Sequence, residues 1–94
     1  MFNSNRYMTR GIADKIPLEL QVYLWNLIDE IPEPKDYLQV FRLSVFEGKQ
    51  KIVHSQEIPE YQKEYLISCE NPITEKIFVI DDKTHCTMLL ASEY

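Results

Sequence analysis

The sequence predicts an α+β domain in which one helix packs on a mostly antiparallel, bent β-sheet, built as a meander or a partly open small barrel. Its 94 residues leave room for a single domain over residues 1–94. Apolar residues follow a helical period between two prolines, Pro17 and Pro32. The rest of the chain holds short β-branched and aromatic segments separated by turn residues, which is typical of strands joined by hairpins.

The N-terminal third is expected to contain a short strand and the helix. Residues 6–10 alternate bulky and polar side chains, which predicts a strand, and Gly11 is expected to end it. The helix is predicted from about Pro17 to Glu30. Proline is tolerated in the first helical turn, and the residue before Pro32 avoids helical backbone angles. One helix face is expected to pack in the core: Leu20, Leu24, Leu27, Ile28 and Ile31.

Five further strands are predicted in residues 37–46, 50–58, 60–69, 77–80 and 86–91. The first carries large apolar residues on both faces, which is typical of a central strand that is covered at least partly on both sides. Glu47-Gly48-Lys49 predicts a hairpin turn after it. Residues 60–69 fit either a strand or a helix, and we interpret them as a strand because their second half contains few good helix formers.

The composition excludes several classes of protein. Two glycines rule out a Gly-rich phosphate loop, and two cysteines rule out a disulfide framework or a four-cysteine zinc site. Fifteen acidic and ten basic residues give a net charge of −5, which argues against nucleic-acid binding through a broad basic face. The N-terminal residues lack the apolar stretch of a signal peptide. We therefore expect a cytoplasmic protein with no membrane association, whose Cys69 and Cys86 are buried, reduced thiols.

The helix carries a second apolar stripe in addition to its core face. Leu18, Val22 and Trp25 lie on the side nearly opposite the core face, at a spacing that brings them into contact with one another. One helix on one sheet covers only one stripe. Residues 1–10 could fold over the second, or it could be a surface for self-association or for a protein partner, with Trp25 as the anchor.

The acidity belongs to the second half of the chain. Residues 1–46 hold 5 basic and 6 acidic side chains, whereas residues 47–94 hold 5 basic and 9 acidic ones. Such carboxylates could imitate a phosphate backbone and occupy a basic site on a DNA-handling protein. The candidate acidic face consists of Glu57, Glu60, Glu64, Glu70, Glu75, Asp81 and Asp82. Direct nucleic-acid binding would instead use the aromatic residues with a basic strip of Arg6, Arg10, Arg42 and Lys51.

No catalytic or metal-binding constellation is recognisable in the sequence. His85 and Cys86 are adjacent, so on a strand they would point to opposite faces and could not act as base and nucleophile together. His54 shares a strand face with Ile52 and Ile58 and is interpreted as a partly buried structural histidine or an edge histidine. The spacings of His, Cys and Asp match neither a zinc site nor an EF-hand. We therefore expect no enzymatic activity, no cofactor and no metal.

Four segments of the chain resemble a known bacterial family. The segments are Arg6-Tyr-Met-Thr-Arg-Gly11, Leu24-Trp25-Asn-Leu-Ile-Asp29, Asp36-Tyr-Leu-Gln-Val-Phe41 and His54-Ser-Gln-Glu-Ile-Pro-Glu-Tyr61. Together they are similar to domain of unknown function 960, found in Firmicutes. The resemblance covers nearly the whole chain. It implies a small cytoplasmic accessory protein, in some cases encoded on a mobile element, and it supplies no catalytic residues.

These observations predict a non-enzymatic protein–protein interaction module that binds another protein or a second copy of itself. The alternative is a nucleic-acid-related role, either as a direct binder or as an acidic mimic of DNA.

Overall fold

The computed structural model describes residues 1–94 and contains six strands and two helices. In chain order these are β1 (Asn5–Met8), α1 (Arg10–Lys15), α2 (Leu18–Glu30), β2 (Leu38–Phe46), β3 (Lys49–Gln56), β4 (Tyr61–Ile67), β5 (Glu75–Asp81) and β6 (His85–Leu90). A short 3-10 turn, Ala91–Glu93, follows β6. Neither helix has the length and hydropathy of a membrane-spanning segment.

The six strands form one sheet in the order β1-β6-β5-β2-β3-β4. All neighbours are antiparallel except β1 and β6, which run parallel. The predicted strand-rich α+β class with a mostly antiparallel sheet is confirmed, and β2 is central as expected. The sheet is open, because β1 and β4 form its two edges and do not pair with each other. It is therefore not a closed barrel, and it is not a simple meander either, because β5 pairs with β2 instead of β4.

Helix α2 matches its prediction to within one residue. It begins after Pro17 and ends at Glu30, and Ile31 is already extended before Pro32. All five residues of the predicted core face are buried. Their side chains therefore remove a continuous apolar stripe from water, which is the main source of stability for a helix of this length.

Helix α1 was not predicted, and Gly11 lies inside it instead of ending a strand. Six residues are too short to show a helical period. The helix is stabilised at its start by Thr9, whose side-chain oxygen accepts a hydrogen bond from the Ile12 amide at 3.4 Å. Lys15 lies in its last turn, where a positive charge interacts favourably with the helix dipole.

Two predictions about the strands are confirmed by the register. Phe46 pairs with Lys49, so Glu47 and Gly48 form a two-residue turn, with φ values of 50° and 76°. Positive φ at both positions is what this type of tight hairpin requires. The ambiguous segment is a strand, since β4 pairs with β3 along its whole length.

The buried apolar residues lie on one face of the sheet, which we call the inner face. A single cluster of 15 buried residues contains side chains from both helices together with inner-face side chains of β2, β3, β5 and β6. On the opposite, outer face, Leu89 is the only buried side chain from β2 to β6. The expectation that β2 is covered on both sides is corrected, because both helices contribute their buried side chains to the inner face.

Candidate interaction surfaces

The second stripe of α2 is partly covered by the N-terminal segment. Leu18 and Val22 are 66% and 50% exposed, whereas Trp25 is half-buried. The Arg6 guanidinium lies 4.6 Å from the centre of the Trp25 ring and forms an ion pair with Asp29. Each of the two expectations therefore holds for part of the stripe. The N-terminal segment covers Trp25, whereas Leu18 and Val22 remain exposed to solvent.

The seven residues of the candidate acidic face do not form one array. Asp81 is buried, and its carboxylate accepts hydrogen bonds from the amides of Phe2 at 2.7 Å and Lys83 at 2.8 Å. It therefore anchors the N-terminal segment and does not belong to an exposed surface. Of the others, Glu57, Glu60 and Asp82 lie at the end of the sheet where β2 begins, Glu70 and Glu75 lie at the opposite end, and Glu64 is on the edge strand β4.

The outer face carries a group of cations that sequence reasoning found only in part. Arg42 and Lys76 are directly opposite each other on β2 and β5, and Lys51 on β3 lies two residue pairs further along, opposite Ser44. Arg42 and Lys51 were in the predicted basic strip, but Arg6 lies on the helix side against Trp25. The missing signal was the pairing register, because only the register shows that Lys76 joins the two.

Aromatic rings lie beside these cations. The Lys76 ammonium is 5.4 Å from the Phe78 ring centre, and the Lys51 ammonium is 5.8 Å from that of Phe46. Tyr94 meets Phe78 edge to face at 5.5 Å. Rings and long basic stems shield one another from water here, but they leave the outer face as a mixed apolar and cationic surface.

A groove of about 860 Å³ lies on the outer face across β2, β3 and β4. Leu38 and Val40 are among its apolar residues, Arg42 supplies its positive charge, and Glu57 and Glu60 supply negative charge where the β3–β4 loop begins and ends. The groove therefore carries opposite charges along the strand direction, with apolar side chains between them.

His54 has a structural place in the core and is more deeply buried than the predicted partly buried or edge position. It is fully buried and stacks on Phe41 with ring centres 4.4 Å apart. Its Nε2 lies 2.6 Å from the side-chain oxygen of Gln39, while its Nδ1 is buried without a partner. Because the amide oxygen can only accept, Nε2 carries the proton, and burial of Nδ1 without a partner favours the neutral ring. Burial lowers the pKa of His54 from 6.5 to about 4.

The other candidate catalytic residues are separated from one another. Cys86 is buried on the inner face, while the neighbouring His85 lies on the outer face with its Nε2 3.1 Å from an Asp82 carboxylate oxygen. Hydrogen bonds from the His85 and Thr84 residues lower the pKa of Asp82. These contacts hold the β5–β6 loop together. Cys69 is exposed, so the expectation that both thiols are buried is correct only for Cys86.

Residues 5–93 match the family model described as a staphylococcal protein of unknown function, DUF960. The chain belongs to this family. Among solved structures it is similar to the crystal structure of a protein of unknown function from Enterococcus faecalis, with 26% sequence identity and a TM-score of 0.83. That similarity covers 97% of this chain and 91% of the other. The curated protein sequences contain no match to it.

The segments that suggested the DUF960 family have defined places in its fold. The stretch from Arg6 to Gly11 connects β1 to α1, and it includes the contact of Arg6 with Trp25. The stretch that begins at Asp36 forms the start of β2, where the Asp36 carboxylate accepts hydrogen bonds from the amides of Glu57 and Ile58. In this DUF960 chain, therefore, these segments carry contacts that hold the fold together.

Proposed function

We propose that this DUF960 protein is a small, non-enzymatic protein–protein interaction module whose main docking surface is the outer face of the sheet. The observation that supports it is the exposure of this face, where Leu89 is the only buried side chain from β2 to β6. The apolar area of such a surface is exposed to water in the free protein, and it is removed from water when a second protein covers it.

The side chains of the outer face have the mixture that protein interfaces use. Val40, Phe78 and Ile80 form a half-buried apolar centre, and Arg42 and Lys76 are exposed beside it. An apolar centre supplies affinity, while charges at its side select the partner and its orientation. The helix stripe of Leu18, Val22 and Trp25 is proposed as a second, smaller contact surface, with less exposed apolar area because Arg6 covers the ring.

The test compares two identical substitutions on the two surfaces. Tagged wild-type protein, Val40→Lys and Val22→Lys are used to capture proteins from a staphylococcal lysate, and bound proteins are quantified by mass spectrometry. We expect a protein that wild type enriches to be lost with Val40→Lys and retained with Val22→Lys. The opposite pattern would move the docking surface to the helix stripe, and equal capture by all three would contradict the proposal.

A nucleic-acid-related role is the second candidate. The cations Arg42, Lys51 and Lys76 beside the rings of Phe46 and Phe78 favour direct binding of a single strand, which combines base stacking with charge. The division of the acidic residues between the two ends of the sheet gives less support to a DNA mimic acting on a DNA-handling protein. Fluorescence anisotropy of a labelled oligonucleotide at rising salt distinguishes these roles, because direct binding weakens steeply with salt.

Further expectations accompany the proposal. The protein is expected to act in the cytoplasm without a cofactor or metal, and some family members are expected to be encoded on mobile elements. The absence of enzymatic activity also stays a prediction.

A further inference from the structure

We propose that the outer face is occupied by a second copy of this chain, in a two-fold symmetric dimer whose sheets pack face to face. This inference rests on the proposed function, since it names the occupant of the same surface. Three features support it: the distribution of charge along the strands, the apolar residues between the charges, and the area of the face.

Charge on the outer face changes sign along the strand direction. The pair formed by Val40 and Phe78 marks the middle of this direction. On one side of it lie the cations Arg42, Lys51 and Lys76, with Glu64 ion-paired to Lys51 at 3.9 Å, while the β3–β4 loop on the other side carries Glu57 and Glu60. One groove contains both Arg42 and the two glutamates, so the two signs face the same solvent space.

This distribution selects one symmetry. A two-fold axis that crosses the strands at Val40 and Phe78 reverses the strand direction between the two copies. Arg42 of each copy then lies over Leu38 of the other, one strand from Glu57 in the β3–β4 loop, and this approach of opposite charges occurs twice in one interface. An axis parallel to the strands would place Arg42 and Lys76 against the same cations of the second copy, which like-charge repulsion disfavours.

The middle of the face has the composition of a sheet-packing surface. Leu38 and Val40 on β2 alternate with inner-face residues, and Phe78 and Ile80 do the same on β5. All four are half-buried in the single chain. In packed sheets such alternating apolar side chains interdigitate across a gap of about 10 Å.

The area of the face is sufficient for a stable dimer. The 41 residues of the six strands, each covering about 4.8 × 3.3 Å, give roughly 650 Å² in projection, and side chains add accessible area to this. Stable interfaces bury about 800 Å² on each partner. The overall dimensions of 36 × 28 × 20 Å allow a face of this size.

The experiment measures mass in solution for the full chain and a set of variants. Light scattering and sedimentation over a range of concentrations are expected to give twice the chain mass of 11.2 kDa for wild type. Val40→Lys places a charge in the apolar centre and is expected to weaken the dimer at least about tenfold. Val22→Lys, the same substitution on the helix stripe, is the matched control and is expected to leave the dimer unchanged.

A charge-reversal series tests the orientation independently of the apolar centre. Arg42→Glu is expected to weaken the dimer about tenfold or more, and combining it with Glu57→Arg and Glu60→Arg is expected to restore part of the affinity, because position 42 of each copy then again faces opposite charge at positions 57 and 60 of the other. This series keeps the inference testable even if Val40→Lys fails to fold, which circular dichroism would show.

Several outcomes would overturn the inference. A wild-type protein that is monomeric at all concentrations excludes the dimer, as does a dimer lost with Val22→Lys but not with Val40→Lys. Failure of the triple charge reversal to restore association would exclude this orientation. A monomer that binds a single-stranded oligonucleotide would assign the face to nucleic acid. A monomer whose Val40→Lys variant loses a captured protein would leave the proposed function standing and remove only the second copy.

Discussion

The carboxylate of Glu93 occupies the space that a β-carbon on Gly11 would need. A β-carbon built on Gly11 would lie 2.6 Å from Cδ of Glu93. In the absence of that carbon, Glu93 accepts a hydrogen bond from the Gly11 amide at 3.1 Å, one from the Thr9 hydroxyl at 2.6 Å and one from the Leu90 amide at 2.8 Å. The start of α1 is thereby joined to the 3-10 turn that follows β6.

The Gly11 and Glu93 contact predicts a reversal of sign in a double-mutant cycle. Gly11→Ala should lower the melting temperature by a few degrees, because the methyl group displaces the carboxylate. In the Glu93→Ala background the same change should raise it, since the space is empty and alanine favours the helix over glycine. Thermal unfolding followed by circular dichroism measures all four proteins. Equal effects of Gly11→Ala in both backgrounds would contradict the contact.

Glu93 also predicts a dependence on acid. Its hydrogen bond from Thr9, together with those from the two amides, holds the pKa of Glu93 below its usual value. A carboxylate with a lowered pKa contributes stability above its ordinary pKa and loses it as the pH falls through the lowered value. Glu93→Gln should therefore be less stable than wild type at neutral pH and approach it at low pH, as measured by urea unfolding.

The burial of His54 predicts that the protein begins to lose stability at a higher pH than the titration of its carboxylates would cause. Its pKa is about 4 in the folded chain and near 6.5 when unfolded, so the neutral ring favours the folded state above pH 6.5. As the pH falls from 6.5 towards 4, the free energy of unfolding should drop by about 3 kcal/mol, because the unfolded chain takes up the proton first. Urea unfolding at several pH values measures this loss.

The control for His54 is a residue that cannot titrate in this range. His54→Gln keeps a polar side chain near Gln39 and should flatten the stability profile between pH 6.5 and 5. A variant profile parallel to that of wild type would show that another group is responsible.

The contact of Arg6 with Trp25 predicts a fluorescence change. Trp25 is the only tryptophan, so its emission reports this site alone. Arg6→Ala should shift the emission to longer wavelength and increase quenching by acrylamide, because the guanidinium no longer covers the ring. The stability change should be within about 1 kcal/mol, since the ion pair with Asp29 is partly exposed. Arg10→Ala is the control, and an equal shift in both variants would contradict the assignment.

The two stripes of α2 predict different losses in the free energy of unfolding when a leucine is replaced by alanine. Leu24 is fully buried, and Leu24→Ala should lower the free energy of unfolding by about 2 to 5 kcal/mol. Leu18 is largely exposed, and Leu18→Ala should change it by about 0.5 kcal/mol or less. Chemical denaturation distinguishes the two, and similar costs would mean that the second stripe is covered.

Much of the secondary structure could be predicted because it depends on local rules. Pro17 and Pro32 bound α2, and Gly48 allows the tight turn between β2 and β3. Helix α1 was missed because its stabilising partner, Glu93, is 82 residues from Gly11. No local pattern reports a contact at that separation.

The candidate surfaces also combine features that local sequence predicts with features that depend on distant contacts. The sequence was sufficient to predict that α2 has a core face and a second stripe, because the helical period places Leu18, Val22 and Trp25 together on one side. It was not sufficient to show that Arg6 lies over Trp25, that Asp81 is buried or that Arg42 and Lys76 are paired on an open face.

The sequence by itself therefore determined the α+β class, the family, the main helix and the positions of most strands along the chain. The tertiary structure decided that the sheet stays open, with both helices contributing to the inner face and the outer face left exposed. The physical reason is that the period of a strand or helix separates its two faces but does not say what covers each of them. That depends on which distant segments fold back against each face.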